Sequence, residues 1–108
     1  MGKIVGNYRY HNKDTRTSAA TKTFVGPAVG RDRIAEITFA SVVNYTSTNC
    51  KLILGYRDAG GSDHYLRVVQ GTAVRDLSME GKIYLLPTEK PIAVVEDPGA
   101  SDVLYCSF

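Results

Sequence analysis

No window of this chain sustains a 3.6-residue apolar period long enough for a helix; what recurs is short alternation. Residues 34–43 (IAEITFASVV) alternate, which places Ala35, Ile37, Phe39, Ser41 and Val43 on one expected face and Glu36 and Thr38 on the other. Residues 50–57 (CKLILGYR) put Cys50, Leu52, Leu54 and Tyr56 on one side, with Lys51 and Arg57 opposite. Shorter runs follow at 63–70, 82–86, 91–96 and 102–107. Turn chemistry divides them: the polar stretch 44–49, the Gly-Gly loop 58–62, residues 87–90 after Leu86, and 97–101 with its Asp-Pro-Gly. Residues 76–80 have room for one helical turn at most. Seven or eight strands at roughly 8–14-residue spacing predict an all-β chain, an antiparallel β-sandwich of the jelly-roll or Ig-like kind.

The chain's 108 residues suit one domain, which at this size buries roughly two thirds of its unfolded surface. Hydrophobic residues make up 44% and charged residues 22%, far from a disordered composition. Thirteen Lys and Arg face eleven Asp and Glu, and a net charge of +2 is too small for a dedicated nucleic-acid binder. No apolar run reaches the roughly 18 residues of a membrane-spanning helix. The opening MGKIVGNYRYHNK has no apolar stretch of the kind a secretory signal peptide carries. Gly6 stands where a myristoylation motif wants Ser or Thr.

Charge is distributed unevenly. In residues 1–22, Lys3, Arg9, Lys13, Arg16 and Lys22 face one acid, Asp14, which gives +4; the other 86 residues carry eight basic and ten acidic side chains, which gives −2. Residues 12–23 (NKDTRTSAATKT) hold no apolar side chain larger than Ala, so they cannot contribute to a core. The expected organisation is a polar, basic N-terminal arm over residues 1–23 and a β-sandwich over 24–108. Ile4-Val5 and Tyr8-x-Tyr10 in the arm could form a short strand against this domain or a neighbouring subunit.

No convergent catalytic set stands out. His11 lies in the polar arm, and His64 beside Asp63, with Asp58 across the Gly-Gly loop, reads as a solvated hairpin tip ahead of a weak metal site. No serine sits in a nucleophile elbow, and Gly26-Pro-Ala-Val-Gly30 lacks the Lys-Ser/Thr of a phosphate loop. Cys50 and Cys106 are too few for a disulfide scaffold or a metal cluster; a single bridge between strands is one reading, and two buried free thiols is the expected one. The chain is therefore expected not to be an enzyme, and to use no metal and no cofactor.

Seven tyrosines without a tryptophan point toward contact surfaces, because tyrosine joins a large apolar face to a hydroxyl that tolerates water. Most are expected half-buried on sandwich faces. Tyr8 and Tyr10 flank Arg9 within the basic arm, and aromatic and Arg residues together anchor protein interfaces. Tyr8, Arg9, Tyr10, Lys13 and Arg16 are the expected partner-binding residues. Five basic residues over 22 positions make a thin phosphate footprint, so neither specific nucleic acid nor membrane is expected as a partner.

Residues 34–108 resemble the small β-sandwich accessory proteins of tailed-bacteriophage particles. The matching pieces are the alternating strand ending in Asn44-Tyr45-Thr46, then Leu52-x-Leu54-x-Tyr56-Arg57-Asp58, the Tyr65-Leu66 strand, Tyr84-Leu85-Leu86-Pro87-Thr88-Glu89-Lys90, and Ala100-Ser101-Asp102 before the last strand. The resemblance implies a non-enzymatic virion protein, assembled in the host cytoplasm, that decorates or cements the capsid. Its implied partners are the major capsid protein or other virion proteins and further copies of itself. Two other readings are a neck, tail or fibre-associated protein, and a carbohydrate- or receptor-binding module that stacks sugars on tyrosine-bearing loops such as 44–49. Residues 1–22 match nothing in the family pattern, so a clasping arm there rests on charge and composition.

Overall fold

The alternating runs become strands. In a computed structural model the chain forms β1 (Lys3–Ile4), β2 (His11–Thr15), β3 (Lys22–Val25), β4 (Arg33–Asn44), β5 (Cys50–Arg57), β6 (Asp63–Gly71), β7 (Asp76–Leu85), β8 (Lys90–Glu96) and β9 (Val103–Ser107). The structure describes residues 3–4, 10–45, 50–71 and 76–108, with the backbone alone at Lys3, Ile4 and Cys50.

Two antiparallel sheets face each other as a β-sandwich. Sheet I runs β7-β4-β9-β2, and β1 adds a short parallel bridge at Arg33 and Ile34. Sheet II runs β3-β8-β5-β6. Between them Ala40, Val42, Leu104 and Cys106 of sheet I meet Phe24, Leu52, Leu54, Ala93 and Val95 of sheet II, with Phe108 at the side. Fully burying a Leu or Phe side chain contributes roughly 1.5–3 kcal/mol, so this layer is the main source of stability. A second cluster of Val29, Ile37 and Leu85 closes one end of the sandwich. Ile53, Ile92 and Val94 are buried on the opposite face of sheet II from Leu52 and Leu54, which makes β8 apolar on both sides.

The inward face of β4 departs from simple alternation. Ala35 and Ile37 face the core as expected, but Thr38 and Phe39 are both exposed, and Ala40, Val42 and Asn44 are buried after them. Phe39, expected inside, is 44% exposed. The cause is a register shift against β7: Ile37 opposes Ile83, whereas Phe39 opposes Glu80, so β7 carries one more residue than β4. Such an irregularity moves every later side chain to the other face. Gly81, at a φ of +127°, lies at the shift.

Two further expectations change. Residues 76–80 are not a helical turn but the first half of β7, with Leu77 and Met79 packed against the core. Residues 12–23, expected as a polar loop or extended arm, supply most of β2 and the start of β3. β2 is an edge strand whose backbone pairs with β9 from His11–Ser107 to Thr15–Val103, and an edge strand with exposed side chains needs no apolar residue.

Candidate interaction surface

The outer face of sheet I collects side chains that the core does not use. One row across the strands reads Lys13 (β2), Tyr105 (β9), Val43 (β4), Asp76 (β7). The next reads His11, Ser107, Ser41, Ser78, with His11 Nδ1 2.9 Å from Ser107 Oγ. Tyr45, just past β4, is fixed by its N–H donating to Val103 O at 2.9 Å. Its ring meets Tyr105 edge-on, with centroids 6.1 Å apart and planes at 80°. Tyr45 is 63% exposed and Tyr105 40% exposed. Lys13 Nζ stands 6.0 Å from the Tyr105 centroid, at the outer limit of a cation–π contact. Exposed tyrosines on an open sheet face match the aromatic enrichment of protein-contact surfaces, whereas a lysine beside them does not add to that match.

Of the five expected partner-binding residues, Lys13 lies on this face. Tyr8 and Arg9 lie outside the described residues. Tyr10 is turned to structural use: its ring stacks on Phe108 at 5.5 Å, and the two backbones exchange hydrogen bonds of 3.2 and 2.9 Å. Its hydroxyl accepts a hydrogen bond from Asn12 Nδ2. Arg16 is folded back, donating to Asp14 Oδ2 at 2.9 Å and to Ala20 O at 3.1 Å, with its Nε buried without a hydrogen-bond partner. Only 14% of the Arg16 side chain is exposed, so its charge is directed inward.

The hairpin tip between β5 and β6 is tightly bonded. Asp58 Oδ1 accepts the N–H groups of Gly60 and Ser62, both at 2.9 Å, and its Oδ2 lies 2.7 Å from His64 Nε2. These bonds, that from His64 foremost, hold the Asp58 carboxyl below its ordinary pKa. The His64 ring stacks on Tyr56, and Arg57 forms a two-bond pair with Asp63. The tip residues satisfy one another, and no cluster of three metal-ligating side chains occurs among the described residues. Cys106 is a buried free thiol whose pKa burial pushes up to about 12, the wrong direction for a nucleophile. The Cys50 side chain lies outside the described residues.

Sequence reasoning missed Tyr105 and Phe39 as surface residues. For Tyr105 the signal was available: Leu104 and Cys106 alternate around it, so it faces away from them. For Phe39 it was not, since the register shift leaves no mark on β4 itself. Compared with protein-family models and with curated proteins, the chain matches none.

Proposed function

We propose that the chain is a non-enzymatic virion structural protein, a capsid decoration or cement protein of a tailed bacteriophage that binds the shell and further copies of itself. The observation that carries the reading is the exposed Tyr45–Tyr105 pair beside Lys13 at the outer face of sheet I, together with the resemblance of residues 34–108 to phage accessory sandwiches. A jelly-roll or Ig-like strand arrangement and a basic N-terminal arm that clasps a neighbour belong to the same proposal. A cement protein works by contact area repeated over many copies, and specific contacts of this kind bury more than about 1,000 Å².

The test uses particles assembled without the chain, to which purified protein is added back. The double variant Lys13→Ala/Tyr105→Ala is expected to keep its melting temperature and to lose at least about tenfold in affinity for the particles, roughly 1.4 kcal/mol. Unchanged occupancy would overturn the assignment of this face. Copy number separates the shell from the neck or tail: hundreds per particle place the chain on the shell, a dozen or fewer at the tail axis. The exposed pair Tyr45 and Tyr105 also favours a second reading, in which the rings stack on sugars; binding on a glycan array that Tyr105→Ala abolishes would replace shell attachment with receptor recognition.

A further inference from the structure

Among the described residues β1, β2, β3, β6 and β7 each have one strand neighbour; β1 is two residues long, and three of the others carry features that keep an edge from pairing with another chain. β2 is five polar residues, His-Asn-Lys-Asp-Thr. β3 is four residues long and runs into Gly26-Pro27. β7 is interrupted by Gly81 and carries Asp76, Glu80 and Lys82. β6 carries Arg67 and an irregularity at Leu66, but it is nine residues long, has no proline or lysine, pairs regularly with β5 from Arg67 to Gly71, and has β5 as its one strand neighbour among the described residues. Tyr65, Leu66 and Val68 are exposed along it, Val68 by 51%. Asp63 is already engaged by Arg57, and His64 by Asp58. Beside this edge Val69 of β6 and Leu77 and Met79 of β7 pack on the core but remain only partly buried.

We propose that β6 is the seam of a symmetric dimer, in which the β6 strands of two copies pair antiparallel and continue sheet II across both molecules. The two-fold axis of such a pair passes through a residue that faces its own copy. An axis at Arg67 would set two guanidinium groups opposite each other, which is unfavourable. An axis at Val68 sets Val68 against Val68, Arg67 against Val69, Leu66 against Gln70 and Tyr65 against Gly71, with no like charges facing. Its central pairs, Val68 with Val68 and Arg67 with Val69, lie in the half of β6 that pairs regularly with β5; the β5–β6 register breaks between Leu54 and Gly55, where Leu66 is the extra residue, so the pairs of Leu66 and Tyr65 lie at and beyond the irregularity. A partner strand there covers the exposed Val68 and completes the burial of Val69, Leu77 and Met79. A homo-oligomer is part of the function proposed above, but the seam is read from the edges alone, so its failure leaves particle attachment through Tyr105 untouched.

The full chain is examined by sedimentation at about 100 µM, some hundredfold above a micromolar Kd. The expected mass is twice 11.8 kDa, falling to 11.8 kDa for Val68→Lys, which sets two ammonium groups at the axis, with an unchanged melting curve for the dissociated chain. Val68→Cys is expected to cross-link to its own copy under mild oxidation, because facing strand residues lie about 4.5–5.5 Å apart at Cα, within disulfide reach. Gln70→Cys, which faces Leu66 of the other copy, is expected not to cross-link beyond the unsubstituted chain. A monomeric unsubstituted chain, or an oligomer that Val68→Lys leaves intact, would overturn the proposal. Cross-linking of Gln70→Cys in place of Val68→Cys would overturn the register.

Discussion

Asn44 Nδ2 donates a 2.8 Å hydrogen bond to Asp102 Oδ2 across 58 residues of sequence, and both side chains are buried. The same Oδ2 accepts the Gly99 N–H at 2.6 Å, and the Asp102 carbonyl accepts the Arg16 N–H at 2.7 Å. One side chain thus ties the end of β4 to the loop before β9, while its backbone holds the exit of β2. Replacing Asp102 by Ala leaves one buried and one part-buried N–H donor without this acceptor, and the expected loss is about 2–4 kcal/mol. Asn44→Ala is expected to be coupled to it, so that the double variant loses about 0.5–3 kcal/mol less than the two single losses combined. Urea unfolding of the four proteins measures this; strict additivity would show that the two side chains do not act as a unit.

Gly81 gives a separate prediction, because it isolates backbone strain from crowding. A Cβ there would meet nothing within 4 Å, yet φ is +127°. Gly81→Ala therefore has no clash to relieve, and its expected cost of roughly 1–3 kcal/mol is conformational. The urea midpoint should fall while the m-value stays constant. A variant as stable as the parent would mean that the register shift does not depend on glycine at this site.

That shift also marks where the sequence stops being informative. Core strands β5, β8 and β9 were legible because Leu52, Leu54, Ala93, Val95, Leu104 and Cys106 sit in short runs bounded by turn residues. Along β4 the alternation holds to Ile37 and then reverses, and the reason lies in β7, which begins at Asp76, after β5 and β6. β2 was illegible for another reason: strand pairing at an edge is satisfied by backbone groups, which every sequence supplies. The candidate surface was half legible. Lys13 was singled out for charge, but Tyr105 becomes its neighbour only through the β2–β9 register, and Arg16 turns inward because Asp14 and Ala20 lie within its reach.

Thr88 occupies a turn position that suits glycine better. The turn runs Leu86-Pro87-Thr88-Glu89, closed by the Glu89 N–H on Leu86 O at 3.1 Å, and Thr88 has a φ of +70°. A β-branched residue is strained there. Thr88→Gly keeps the backbone bond from Thr88 N to Val29 O and removes the strain. The expected gain is about 0.5–1 kcal/mol after the entropy that glycine adds to the unfolded chain, a rise of a few degrees in Tm. A drop in Tm would mean that contacts of the threonine side chain outweigh the strain.

Cys106 predicts how stability changes in alkali. Its thiol is pushed from the ordinary 9.0 to about 12 by burial, which disfavours the thiolate in the folded chain. Below about pH 9 the thiol is protonated in both states and contributes nothing to the pH dependence. Between pH 9 and 12 the unfolded chain loses a proton that the folded chain keeps, so stability falls as pH rises, with a slope approaching one proton per molecule. Tyrosines and lysines titrate in the same range, so the variant Cys106→Ala provides the reference. It is expected to be less stable at pH 8, because a buried sulfur is lost, but to lose less with each further pH step up to 11. Parallel pH profiles of urea midpoints for the two proteins would show that the thiol ionises as readily folded as unfolded, and would contradict its burial. Alkylation at pH 8, followed peptide by peptide by mass spectrometry, gives the same answer independently: the Cys106 peptide should react only as fast as the sandwich opens.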